Sequence, residues 1–418
     1  MNRPLRRVGL YGYLGSGNLG NDASLEAVLA WLRSTYPDLE LRGITVAPDE
    51  LLARYGIRSV PLHWSSTGKG GGRAGQAARK LLGLLLDVPR SLVLAGSVDA
   101  VIVPGMGVLE DGLSSRPWNM PLWLFLTAAA CRIRRRPFVL LDIGANRARN
   151  PLVRWLYVAT AGLANHLSYR DRESAEEMRQ AGSRVPAAIA PDVAFIHPAP
   201  TAADPEPGRV VLGVMAYYGH ADDPVRGADV RRRYVATMAE AVVRLADSGC
   251  RVVLVGGDRV DVDVAREVRS TVQTARRDLS EDAVVLRECT RFDELTEEMS
   301  RAEVVVASRF HNLICALRLA RPAVSVGYAG KNHHLMRAMG LEDYIQVIDD
   351  VDADRLVDQV ESARHEQAEL SDQIRRATAD YPDRVRDLLD QVAVGALRLH
   401  PSGHEARQLN EVGAWPRT

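Results

Sequence analysis

Arg309 and His311 stand two residues apart, directly after the apolar run Val304, Val305, Val306 and Ala307, with Ser308 between, and Asn312 follows them. A guanidinium presents a planar fork that grips a phosphate or carboxylate bidentately, a geometry that a lysine ammonium does not match. An imidazole, with an ordinary pKa near ~6.5, gives or takes a proton near neutrality. The pair therefore suits an anionic substrate that must be both held and protonated. Lys331, just beyond a second apolar run at 322–326, adds a further anion contact. The same residues admit a plainer reading, in which an internal acid satisfies Arg309 and His311 is a core histidine.

Position decides between such readings, so the elements that carry these residues matter. In the second half, apolar runs at 210–215, 251–255, 283–286, 304–307 and 322–326 alternate with helical patterns at 231–248, 265–275 and 292–301. Alternation of this length predicts a parallel sheet with right-handed crossovers. Ligands of open α/β sheets bind at the carboxyl ends of strands, which is where Arg309, His311 and Lys331 fall. A short strand at 344–348 and two largely polar helices, 351–379 and 383–397, follow.

The first half reads the same way. A strand at 8–11 runs into Gly12, Gly15, Gly17 and Gly20 and then a helix whose Leu25, Val28, Leu29 and Leu32 share one face. Gly15, Gly17 and Gly20 satisfy the GxGxxG spacing, but a dinucleotide site also wants an acid at the end of the second strand. Thr45 and Val46 stand there instead, with Asp49 beyond a proline, so nicotinamide binding is disfavoured and the plainer reading is glycines needed for tight helix-to-strand packing. Further strands at 100–103, 137–142 and 166–169 end on Gly105 and Gly107, on Gly144 and Asn146, and on Arg170 and Asp171. The glycine-rich stretch 64–74 has the composition of a flexible surface loop and lacks the P-loop spacing.

At 418 residues the chain exceeds one comfortable core, and the proline-rich and acidic stretch 198–208 marks a boundary. The expected division is 1–200, a linker at 201–208, a second domain at 209–350, helices at 351–399 and a mobile tail at 400–418. Lys plus Arg and Asp plus Glu are equal at 53 each, which argues against an electrostatic nucleic-acid binder and leaves partners to local features. Four dispersed cysteines form neither a CxxC pair nor a disulfide framework, and the N-terminus lacks a secretory pattern, so a cytoplasmic protein is expected. The apolar stretch 121–131 is about half of the ~20 residues a spanning helix needs and reads as a buried helix.

Taken together, the motifs resemble the polysaccharide pyruvyl transferase family. The resemblance rests on the strand followed by Arg309-Phe310-His311-Asn312, on the Gly327-Tyr328-Ala329-Gly330-Lys331 strand end, and on Met339-Gly340-Leu341. In the first half it rests on Gly17-Asn18-Leu19-Gly20-Asn21-Asp22, the glycine turn from 104 to Asp111, Arg170-Asp171 with Ser174, and Pro191-Asp192-Val193. It implies a GT-B-like pair of Rossmann-like α/β domains with parallel sheets facing across a cleft. It further implies phosphoenolpyruvate as donor, a glycan sugar or its lipid- or nucleotide-linked precursor as acceptor, and no metal or other cofactor. By position, Arg309 and His311 would contact the donor as catalytic residues, and Asn18, Asp22, Asp111, Arg170, Asn312 and Lys331 would bind substrate, with the loops around Asn18 and Asp111 on the acceptor side. A lipid-linked acceptor would bring peripheral association with a membrane.

Two departures stand out. The arginine expected after the first strand of the second domain is replaced by Met215-Ala216-Tyr217-Tyr218, leaving Arg226, Arg231 or Lys331 to supply that charge, or a different donor. Asn21 occupies the place of the usual first acid, with Asp22 beside it. The rival readings are a GT-B glycosyltransferase using a nucleotide-sugar and a non-catalytic protein that binds an anionic glycan.

Overall fold

The computed structural model describes residues 5–64, 73–110, 116–198, 203–219, 224–328 and 330–399, excluding the side chains of 73–81, 84 and 224–226. Most of the 64–74 loop, Asp111, residues 199–202 of the linker and the 400–418 tail lie outside the described residues. The chain divides into two compact units. Unit 1 is Met1–Ser16, Ser24–His197 and Asp383–Thr418; unit 2 is Gly17–Ala23 and Pro198–Pro382.

Unit 1 alternates β1 (Arg7–Gly12), α1 (Leu19–Thr35), β2 (Glu40–Thr45), α2 (Pro48–Tyr55), β3 (Ser59–Pro61), α3 (Arg73–Ser97), β4 (Ala100–Pro104) and α4 (Met120–Arg134). It continues through β5 (Phe138–Ile143), α5 (Pro151–Leu163), β6 (His166–Tyr169), α6 (Arg172–Gln180) and β7 (Ala188–Ile189). The strands form a parallel sheet in the order β3-β2-β1-β4-β5-β6-β7. β4 and β5 are buried at every position. Helices cover both faces of such a sheet, so its central strands read as continuous apolar runs without alternation. Helix starts are written locally: the Asn150 side chain accepts from Leu152 N and Val153 N with Pro151 as the first helical residue, and Asp171 caps α6 by accepting from Ser174 N.

Unit 2 contains β8 (Arg209–Gly213), α7 (Pro224–Asp247), β9 (Arg251–Val255), α8 (Asp261–Ala275), β10 (Val284–Arg287), α9 (Phe292–Ser300), β11 (Val304–Ala307), α10 (Phe310–Arg318), β12 (Ala323–Gly327), α11 (Gly330–Ala338) and β13 (Ile345–Val347). Its sheet is also parallel, in the order β10-β9-β8-β11-β12-β13. Each sheet reverses its strand order once, between β1 and β4 and between β8 and β11. Ligands of doubly wound folds bind beside such a reversal.

Several elements escape the sequence pattern. β3 and β7, of three and two residues, are too short to show a period, and only tertiary packing defines them. The helix expected at 351–379 is two, α12 (Ala353–His365) and α13 (Gln367–Ala377), broken at Glu366. The one expected at 383–397 is α14 (Tyr381–Gln391) followed by a π-helical turn, Val392–Leu397. The contacts also divide the terminal helices differently from the expected 351–399 block. α12 and α13 belong to unit 2, whereas Val385, Leu388 and Leu389 of α14 join the hydrophobic core of unit 1. Gly17–Ala23, expected within the first domain, clusters with unit 2.

Candidate active site

The carboxyl ends of β8, β9 and β11 converge on one buried carboxylate. Asp261, the first residue of α8 and fully buried, accepts from Arg309 Nε at 2.9 Å and Nη2 at 2.7 Å. It also accepts from Ala216 N at 2.8 Å and Gly257 N at 3.1 Å. An acid is common in the first turn of a helix, where it meets the positive end of the helix dipole, so sequence alone gives Asp261 no distinction. Tyr234 supplies a second tie: its hydroxyl accepts from Met215 N at 3.3 Å and shares a 3.0 Å hydrogen bond with Ser308 Oγ. Burial pushes the Tyr234 phenol up to about 12, so it stays neutral.

Arg309 is the N-cap residue of α10 and its side chain is 21% exposed. Burial works against its charge, but the hydrogen bonds and charge of Asp261, helped by Asp258, more than offset that and raise its pKa. One edge of its fork, Nε with Nη2, is thus already filled by an internal acid. The plainer reading holds for that edge, and Nη1, which makes no hydrogen bond among the described residues, is the part left to meet an anion.

His311 follows on the first turn of α10, half-buried and edge-on to the Phe310 ring at 5.5 Å. A Cβ built on Gly20 would lie 2.1 Å from His311 Nδ1 and 2.4 Å from its Cγ, so the imidazole packs against bare backbone that only glycine provides. Gly20 is held there by Asn18, whose Oδ1 accepts from Gly20 N and Asn21 N, both at 3.1 Å. Asn18 Nδ2 donates to Asp258 Oδ2 at 2.8 Å, and the flanking backbone pairs Leu19 N with Gly257 O and Arg259 N with Gly17 O. The glycines of the opening motif therefore set a loop against the end of β9 and the start of α10. The structure places Asn18 in unit 2 as a capping and tethering residue. Asp22, fully buried, donates its backbone N–H to Asn18 O.

Asn312 is 1% exposed, and its amide sits between two glycines. A Cβ on Gly213 would lie 2.7 Å from Nδ2, and one on Gly257 would lie 2.5 Å from Oδ1. It lies on the buried side of α10, against the strand-end glycines. Lys331, on the first turn of α11, carries Nζ over the Phe310 ring at 5.2 Å, which brings it beside the His311 end of α10. Behind it, Asn332 and Ser325 are buried, and neither the Asn332 amide nor Ser325 Oγ meets a hydrogen-bond partner among the described residues. Arg231, a candidate for the missing arginine, is engaged with Glu267 at 2.5 Å and with the Tyr218 hydroxyl at 2.9 Å, while the Arg226 side chain lies outside the described residues.

In unit 1, Arg170 directly follows β6, with its side chain 2% exposed. It donates to Glu110 Oε1 at 2.5 Å and to Asp192 Oδ2 at 3.4 Å, with Asp171 Oδ2 3.8 Å away. Asp142 completes the cluster. Burial, and then the charge of Asp192, push its carboxyl well above the usual carboxylate range, and its Oδ2 accepts from Val193 N at 2.7 Å. Its φ of +53° falls where the β5–β6 register breaks. A Cβ on Gly107 or Gly144 would lie 2.5 Å from the Glu110 carboxyl group, which explains both glycine turns. The acid of the 104–111 turn that meets Arg170 is Glu110; Asp111 lies outside the described residues. Sequence reasoning missed Glu110, Asp142 and Asp261, since none stands in a spacing that singles it out.

Among the described residues no group of three or more His, Cys, Asp or Glu side chains is arranged to hold a metal ion. No curated protein matches the chain. Solved structures do: S. aureus MnaA with UDP has a TM-score of 0.60 at 10% identity, over 93% of this chain and 96% of that one. UDP-GlcNAc 2-epimerase from Neisseria meningitidis bound to UDP-GlcNAc gives 0.56 at 10% identity, over 93% and 99%, and Acinetobacter baumannii MurG gives 0.54 at 11%, over 92% and 99%. At such identities the likeness shows the fold, which is GT-B. The polysaccharide pyruvyl transferase family matches residues 18–330, a span that takes in the Asn18 cap, the Arg170 cluster, Asp261, Arg309 and His311 and stops just short of Lys331. The chain belongs to the polysaccharide pyruvyl transferase family and is a transferase.

Proposed function

We propose that the protein moves the enolpyruvyl group of phosphoenolpyruvate onto two hydroxyls of a glycan or glycan-precursor sugar, forming a pyruvate ketal and releasing phosphate. The observation that carries this reading is the grouping of Arg309, His311 and Lys331 on the first turns of α10 and α11, beside the order reversal of the unit 2 sheet. His311 delivers a proton to carbon 3 of the enol, and carbon 2 gains oxocarbenium character. A sugar hydroxyl adds to carbon 2 and sheds its proton, phosphate departs with the C–O bond electrons, and a second hydroxyl closes the ring and sheds its proton. A positioned general acid contributes roughly 10²–10⁴-fold in rate. Arg309, through Nη1, and Lys331 face the anionic groups of the donor and stabilise the leaving charge. The scheme uses phosphoenolpyruvate as co-substrate and no further cofactor.

Because Asp261 neutralises Arg309, most of the charge that meets the donor comes from Lys331 and the two helix N-termini, in place of the absent arginine after β8. A second reading, a nucleotide-sugar glycosyltransferase, draws on the neighbours solved with UDP and UDP-GlcNAc. Thermal-shift titration separates the two, since a ligand bound by the native state alone raises the melting temperature with its concentration over its Kd. Stabilisation by phosphoenolpyruvate and not by UDP- or GDP-sugars, weakened in Lys331→Ala, supports the first. The reverse pattern sinks it. His311→Gln should keep donor binding within a few-fold and lose turnover; retained turnover removes His311 from the acid role.

A further inference from the structure

The equal numbers of acids and bases in the whole chain conceal a local excess. Between residues 73 and 165 there are twelve Arg or Lys and five Asp or Glu. Of those acids, Asp87 and Asp142 are buried, Glu110 is taken by Arg170 and Asp99 by Arg136, while Asp111 lies outside the described residues. Arg132, Arg134, Arg135, Arg147 and Arg154 are exposed.

The same segment exposes large apolar side chains. α3, α4 and α5 pack side by side, and because they follow crossovers that run in one direction along the sheet, they cover the same face of it. A solvent-facing helix side normally carries charge. On α3 that side reads Leu82, Leu85, Pro89 and Val93 at spacings of three and four, with Leu85 70% and Val93 67% exposed. Arg134 of α4 donates to Leu92 O at 3.3 Å, which fixes the arginine cluster at the end of this stripe, and Ile133 within that cluster is 69% exposed. On α5, Trp155 is 56% exposed and packs on Phe125 of α4.

We propose that the α3–α4–α5 face of unit 1 docks on the surface of an anionic lipid bilayer. Apolar side chains enter the boundary between headgroups and acyl chains, while arginines meet lipid phosphates and an indole sits at headgroup depth. The mode is lying on a membrane, since no helix among the described residues is long and apolar enough to cross one. Exposed leucine and valine beside the arginine cluster favour a bilayer over a nucleic acid, which offers phosphates and no hydrocarbon. Such a surface would present the lipid-linked class of acceptor to the enzyme, although the docking does not depend on the identity of the donor.

The test is co-sedimentation of the full chain with phosphatidylcholine vesicles containing phosphatidylglycerol, against phosphatidylcholine alone, at low and high salt. Binding to the anionic vesicles, weakened by salt, is expected. Leu85→Glu with Val93→Glu should lower it at least about tenfold, and Arg132→Gln and Arg135→Gln roughly fivefold each. Circular dichroism and melting temperature should be unchanged because these positions are exposed. Absence of vesicle binding overturns the proposal, as does undiminished binding by both sets of variants. Self-association or RNA binding that the same substitutions abolish, without vesicle binding, overturns it in favour of a different occupant.

Discussion

Arg170 and Arg309 occupy equivalent places, each just past the end of a buried parallel strand in a Rossmann-like sheet, and each meets an acid. Their surroundings differ. Arg170 is almost wholly enclosed, with Glu110, Asp171, Asp192 and Asp142, whose carboxyl pKa is pushed up by burial, around it. Arg309 has a single carboxylate on one edge and a fifth of its side chain in solvent. A guanidinium at a strand end is therefore not by itself a ligand grip. The number of acids that reach it and the solvent left to it decide whether any donor remains for a substrate. Unit 1 spends its arginine on its own architecture, and unit 2 keeps part of one free.

That contrast can be broken by mutation. Arg170→Ala leaves buried carboxylates without their cation and should cost about 3–5 kcal/mol in chemical denaturation, as loss of one partner of a buried pair does. Arg309→Ala should cost about 1.5–3 kcal/mol, the range for hydrogen bonds to a charged group, because Asp261 keeps the backbone N–H groups of Ala216 and Gly257 as donors. Equal losses from the two substitutions would refute the distinction. Gly20→Ala drives a methyl into the His311 ring and should destabilise by about 1–3 kcal/mol. Turnover should fall further than phosphoenolpyruvate affinity in that variant, and an equal fall in both would mean that the contact only packs.

Asp142→Asn should have the smallest effect. The folded pKa of Asp142 is raised, so its stability contribution is fully present below the ordinary carboxylate value of about 3.9 and is lost as pH rises through the folded value. Asparagine keeps an acceptor for Val193 N and tolerates the left-handed backbone. The variant should match the wild type to within about 0.5 kcal/mol at acidic pH and show a flatter decline as pH rises above the ordinary carboxylate range. Denaturation across that range reads the slope, and a slope equal to that of the wild type would mean that Asp142 is ionised throughout.

Much of the scaffold is legible from the chain alone. The run at 304–307, ending in Ser308 and Arg309, announces a strand end, and β4, β5, β8 and β12 announce themselves in the same way. Neither the break at Glu366 nor the membership of α14 in unit 1 carries such a mark, because a polar helix with a modest apolar stripe suits many partners. Asn18, Asp22 and Asn312 read from the sequence as substrate-binding residues. The fold gives Asn18 a capping and tethering place, and Asn312 glycine-lined packing, that no local spacing records.

By itself the sequence determined the α/β class, the two sheets, the family and the two neighbouring strand ends that carry Arg309 with His311 and Lys331. These rest on patterns between near neighbours, in which apolar runs, caps and glycine turns act within a few residues. Tertiary structure alone decided that Asp261 takes one edge of Arg309 from 48 residues away, and that Asn18 ties to Asp258 across 240 residues. It also decided that Gly20 is the surface on which His311 rests. A charge or a glycine acquires its role from what the fold brings within about 3 Å of it, and no local spacing records that distance.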